Sequence, residues 1–97
     1  MPAAYFIASI SVNDAERFKR YASRTPPKIV AYGGEYLARG TVTHALEGRP
    51  PGERVVVVKF PSVEKARGWY ESEENQVLIP MRQEAAEGNI FIVEGID

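Results

Sequence analysis

At 97 residues, with a net charge of -1 and no cysteine, the chain suits a single domain spanning residues 1–97. It has no cationic surplus for a nucleic-acid backbone, and no thiol for a disulfide, a metal site or a nucleophile. Hydrophobic residues at 44% and charged residues at 26% are an ordinary soluble composition, and no apolar run approaches the roughly 20 residues of a membrane helix. The expectation is a soluble, cytoplasmic protein without a signal peptide, a nucleic-acid partner or a membrane partner.

The first apolar run, Ala3 to Val12, alternates as a strand does: Phe6, Ala8, Ile10 and Val12 on one face, Tyr5, Ile7, Ser9 and Ser11 on the other. Asp14 is a helix N-cap, and Phe18, Tyr21 and Ala22 follow at helical spacing. Pro26 and Pro27 interrupt that helix. Thr25 is expected to cap a second piece with Pro26 at its first position, and Gly33 to end it. "GEYLARGT" reads as the second strand, with Tyr36 and Ala38 on one face and Leu37 and Arg39 on the other. A short strand extension is expected around Ala45 and Leu46, before the loop "GRPPG".

The third strand, "RVVVVKFPS", carries four consecutive valines, Val55 to Val58. Successive side chains point to opposite sides of a sheet, so both sides of this strand look buried. Pro61 stops it. Ser62 caps the next helix, lined on one face by Val63, Ala66, Trp69 and Tyr70. After a break near Ser72 to Glu74, a further helical piece carries Leu78, Met81 and Ala85, with Pro80 expected to kink or restart it and Gly88 to close it. "NIFIVEG" is the last strand.

The order is β-α-β-β-α-β, the ferredoxin-like plan of an α+β fold: a four-stranded antiparallel sheet with helices on one face. A chain of this length buries roughly 65% of its unfolded surface, enough for one core but not for a sheet wrapped on both sides. The bare apolar face is then an association surface, and its expected cover is the same face of a second copy: a homodimer with sheets packed face to face.

The whole pattern resembles the domain-of-unknown-function 1330 family of small dimeric α+β barrel proteins. The carriers are "AYGGEYLARG" at Ala31 to Gly40, "LEGRPPGERVVVVKFPSVEKARGWYES" at Leu46 to Ser72, and "VEG" at Val93 to Gly95. Together they cover nearly the whole chain. Thr41 stands where a further glycine is common, and Asn75 where a tyrosine is common after the helix break. The resemblance implies the fold and the dimer; it implies no reaction. Superfamily relatives on the same barrel include cofactor-free monooxygenases, lactone isomerases and haem-degrading enzymes, which bear on this chain by fold analogy alone.

No sequence motif specifies chemistry. "GRPPG" lacks the Gly-Lys-Ser/Thr ending of a phosphate loop, and "YGGEY" precedes a strand rather than a helix. The catalytic candidates are Arg39, His44 and Glu94. His44, the one histidine, suits a general base or a metal or haem ligand, against a solvent-facing loop histidine. The loop reading is favoured because no acidic partner stands at metal spacing. Arg39, near the end of its strand, suits a carboxylate or enolate; its alternative is an ion pair with Glu94 or another acid. Glu94 would act as an acid or base if buried, and is a solvated charge at a strand end otherwise. Arg39, Tyr5, Trp69 and Tyr70 are the ligand-binding candidates, with core packing the alternative for the aromatics. No metal or cofactor is expected.

Three functional expectations follow. One is a homodimer that binds a small molecule between sheet and helices. The second is a cofactor-independent monooxygenase or isomerase acting on a small enolisable or aromatic substrate. The third is a structural or regulatory dimer without a ligand.

Overall fold

The computed structural model describes residues 2–50 and 52–96. Its elements are β1 (Ala4–Val12), α1 (Ala15–Arg24), α2 (Pro26–Ala31), β2 (Glu35–Thr41), β3 (Arg54–Phe60), α3 (Val63–Glu71), α4 (Glu73–Ala85) and β4 (Ala86–Glu94). The sheet order is β2-β3-β1-β4 with every neighbour antiparallel, the ferredoxin-like arrangement expected from the element order.

The alternation in β1 decides which side is covered. Ala4, Phe6, Ala8 and Ile10 are buried beneath the helices, together with Val58, Phe60, Trp69 and Leu78. In the ladder Phe6 lies opposite Val58 and Ala8 opposite Val56, so these two valines face the helices. Ile7 lies opposite Val57 and Ser9 opposite Val55, so the other two face away. The valine run is therefore apolar toward both sides. On β4, Ile90 and Ile92 pack against the core, while Phe91 and Val93, 46% and 45% exposed, lie on the uncovered side. The fold is a slab 16 Å through its thinnest dimension, helices on one side and, apart from Gly52, which hydrogen-bonds over Ser9, open strands on the other.

Caps set most helix boundaries. The carboxylate of Asp14 accepts from the Arg17 N–H at 3.1 Å, and the hydroxyl of Ser62 accepts from the Lys65 N–H at 3.2 Å. Ser72 serves both helices at its break: its hydroxyl donates to the Trp69 carbonyl at 2.7 Å and accepts from the Asn75 N–H at 3.3 Å. Gly33, at φ +81, supplies the left-handed step after α2.

Five expectations need correcting. Thr25 makes no side-chain cap for α2; its hydroxyl donates instead to the Tyr21 carbonyl at 2.9 Å. Pro26 and Pro27 offer no N–H to cap, the Lys28 N–H donates to the Thr25 carbonyl at 3.1 Å, and Thr25 itself has helical backbone angles rather than the extended ones of a capping residue. Pro80 does not restart the helix: α4 runs through it. The carbonyl it leaves without an intrahelical donor belongs to Gln76, an exposed residue, where water can serve it. Gly88 does not close that helix. The carbonyl of Ala85 accepts from the N–H groups of Asn13 and Asp14 at 2.7 and 3.1 Å, and Gly88 lies inside β4 opposite Ile10. There a Cβ would run into the Ser9 carbonyl. No strand forms around Ala45 and Leu46; that stretch is loop.

The fifth correction bears on function. Tyr36 pairs with Val58, but Ala38 pairs with Val57 and Arg39 with Val56. One extra residue, Leu37, has been taken up as a β-bulge, which resets the alternation. Arg39 consequently shares the helix-covered face with Tyr36, not with Leu37.

Candidate functional site

Where the sheet passes under α1 and α2 the packing is incomplete and a cleft remains. Its floor is Phe6, Ala8, Ile10 and Val56; Phe18, Tyr21, Thr25, Ile29 and Trp69 form the walls, and Tyr36, Arg39, Arg54 and Arg82 complete the lining. The free space in this partly open cleft is about 40 Å³, room for about three waters at roughly 10–15 Å³ each.

The backbone explains this composition. Arg54 lies opposite Ile10 and Val56 opposite Ala8, so Arg54 continues the inward row of Val56, Val58 and Phe60. Arg39, opposite Val56, is a diagonal neighbour of Arg54, at about 7–8 Å by sheet geometry. Arg82 enters from the last turn of α4 and is 7% exposed. Two of these guanidinium groups lie over rings: Arg39 stands 4.8 Å from the Tyr36 ring centroid and Arg54 5.2 Å from that of Phe18. Such stacking uses the guanidinium face and leaves the in-plane N–H groups free to donate.

Several of those donors have no partner. Nε of Arg54, Nη1 of Arg82 and Nε1 of Trp69 are buried without a hydrogen bond. Trp69 is 1% exposed, its ring edge-on to Phe6 at 4.9 Å and stacked on Phe60 at 5.6 Å. Among the described residues the lining contains no Asp, Glu or His, and the salt bridges belong to Arg17 and Arg67 elsewhere. Burial raises the Tyr36 phenol above its ordinary value of 10.0, with the Arg39 guanidinium pulling the other way.

Of the residues singled out in the sequence, the cleft gathers Arg39 and Trp69. Tyr5 pairs with Lys59 and Val93 on the uncovered face. Tyr70 sits outside the cleft, its ring 6.3 Å from Phe6 and 5.9 Å from Trp69, along a surface groove with Arg67 and Ile92. His44 is exposed in the loop after β2, its Nδ1 3.1 Å from the Thr43 hydroxyl. Glu94 is exposed at the end of β4, opposite Ala4. Arg39 and Glu94 stand on opposite edge strands, about 14 Å apart across three strand spacings, so they form no ion pair within one chain. Sequence reasoning missed Arg54, Arg82 and Thr25 as lining residues. Among the described residues no group of three His, Cys, Asp or Glu side chains could hold a metal ion, and no helix is long and apolar enough to cross a membrane.

Comparison with known proteins bears on the fold. The family model described as a domain of unknown function (DUF1330) matches residues 3–96. No curated protein matches. Among solved structures, a protein of unknown function from Rhodopseudomonas palustris superposes with a TM-score of 0.81 at 16% identity, over 99% of this chain and 84% of its own. SnoaB, a cofactor-independent oxygenase from Streptomyces nogalater, gives a TM-score of 0.71 at 8% identity, over 100% and 96%. A conserved protein from Methanosarcina mazei gives 0.60 at 16% identity, over 99% and 95%. At these identities the structural matches establish a shared fold.

Proposed function

The chain belongs to the DUF1330 family, and on that premise we propose that it works as a homodimer, each protomer binding a small molecule between its sheet and its helices. The observation that carries the binding reading is the cleft. An otherwise well-packed core leaves a hollow with an apolar floor, and donors that protein groups do not satisfy. Apolar pockets with a few convergent polar groups are where small ligands sit.

The dimer reading rests on the opposite face, where Ile7, Val55, Val57, Phe91 and Val93 share one surface. Four strands at about 4.8 Å and eight residues at about 3.3 Å give a patch of roughly 500 Å² per copy. Two such patches reach the approximately 1,000 Å² that a specific interface needs.

Light scattering on the eluting protein should report twice the chain mass of 10.8 kDa. A small-fragment screen followed by amide chemical shifts should move Ile10, Thr25, Tyr36 and Val56 together. A monomer at micromolar concentration contradicts the assembly. Fragments that move only the loop or the outer grooves contradict the cleft.

A second reading, a cofactor-independent oxygenase, is supported by the likeness to SnoaB over the whole chain. Its weakness is the lack of a base: Tyr21 and Tyr36 are the lining groups that could take a proton, and burial holds Tyr36 in its neutral form. Oxygen uptake with a phenolic substrate, lost in Tyr36→Phe, would favour it over simple binding.

A further inference from the structure

We propose that the Ile10 end of the cleft is an oxyanion site that takes the carboxylate of a small organic acid, with Arg54 Nε and Arg82 Nη1 as its donors and Arg39 at its mouth. This deepens the binding reading above and rests on it.

The first observation is convergence. Arg54 lies directly beside Ile10, Arg39 is its diagonal neighbour, and the last turn of α4 brings Arg82 against Ile10 and Ile90. Like charges placed as cross-strand neighbours repel. No carboxylate of the described lining relieves them. A negative group from outside the chain would.

The second observation is independent of charge. On the residues that line the cleft, every side-chain atom that is buried and unpaired is an N–H donor: Arg54 Nε, Arg82 Nη1 and Trp69 Nε1. Buried donors left unsatisfied cost stability, so the cleft calls for acceptors. Arg82 sharpens the point: 93% of its surface is withdrawn from solvent (100% less its 7% exposure), Glu87, the acid that shares its outer groove, makes no salt bridge to it, and a buried cation left unpaired is costly. Its place at the end of α4 adds a favourable dipole term, but that acts on the charge as a whole and gives Nη1 no acceptor.

The third observation selects the kind of anion. Phe6, Ile10, Phe18 and Ile29 make the rest of this cleft apolar. They suit a hydrocarbon body behind the charged head, which inorganic phosphate lacks. Trp69 Nε1, toward the Phe6 end, offers a donor for an acceptor elsewhere on the same molecule.

The single tryptophan is part of the lining, so its fluorescence reads occupancy. Butyrate, butyramide and inorganic phosphate are titrated into the wild-type chain at constant ionic strength. Butyrate should bind saturably, at least about tenfold tighter than butyramide, since charge-assisted hydrogen bonds are being compared with neutral ones. R82Q and R54Q should each weaken butyrate about tenfold or more and leave butyramide unchanged, whereas R67Q, on the outer side of α3, should change neither.

Equal binding of acid and amide overturns the oxyanion site while leaving a cleft that binds small molecules. Binding of neither overturns both readings. Phosphate tighter than butyrate overturns the organic-acid assignment. The acid–amide comparison uses the wild-type chain, so it decides the matter even if R82Q does not fold; a folded R82Q with undiminished butyrate affinity overturns the role of Arg82.

Discussion

Val57 and Val58 are chemically identical neighbours with opposite surroundings, and the pair tests the two-sided sheet directly. Val58 is 0% exposed, opposite Phe6 beneath the helices. Val57 lies between Ile7 and Ala38 on the open face. Val58→Asp puts a carboxylate into the apolar core beneath the helices. The penalty is several kcal/mol, comparable with the roughly 5–15 kcal/mol that holds a domain together, so the protein should not fold.

Val57→Asp acts on the proposed dimer instead. Removing a buried valine from the interface forfeits about 1.5–3 kcal/mol per copy. The two-fold axis doubles this to about 3–6 kcal/mol, before the repulsion of two carboxylates is added. That raises the dissociation constant by about two to four orders of magnitude. Sedimentation equilibrium would show a monomer, and far-ultraviolet circular dichroism a folded one. A Val57→Asp protein that stays dimeric with unchanged affinity would refute face-to-face assembly. A Val58→Asp protein that folds would refute the assignment of faces.

Other outcomes can be checked on the same protein. Gly34→Ala would place a Cβ 2.5 Å from Ile29 Cγ2 and 2.9 Å from Phe60 Cε1; overpacking of this kind costs about 1–3 kcal/mol, visible as a lowered urea midpoint. Ser72→Ala removes the cap of α4 and should cost about 0.5–2 kcal/mol by the same assay. Tyr36 binds its proton more tightly in the folded state than in the unfolded one. Its contribution to stability is therefore full below the unfolded value and is lost as pH rises through the folded one. Melting temperature should fall more steeply above about pH 10 in the wild type than in Tyr36→Phe.

The four strands and the caps at Asp14 and Ser62 were legible because they follow short local rules. Period-two alternation placed β1, and Asp14 and Ser62 stood where a cap belongs. The four valines even declared that both sides of β3 are apolar. The cleft was less legible, for two different reasons. Arg39 was assigned to the wrong face because one bulged residue shifts the phase of everything after it, and nothing in "EYLARG" marks where the extra residue goes.

Arg54 and Arg82 left a signal that went unused. Arg54 shares the parity of Val56, Val58 and Phe60. Arg82 falls four residues after Leu78 and three before Ala85, on the same buried stripe of α4. A cation on an apolar stripe is out of place, and that misplacement is the mark of the site.

The bulge at Leu37 reaches beyond the direction of Arg39. β2 is a rim of the sheet, and a rim with evenly spaced amide and carbonyl groups invites another chain to extend the ladder. Interrupting the spacing between Tyr36 and Ala38 spoils that template. Growth strand by strand into fibres is hindered along this margin, which leaves the flat of the sheet to the proposed dimer, a contact that would close on itself and stop.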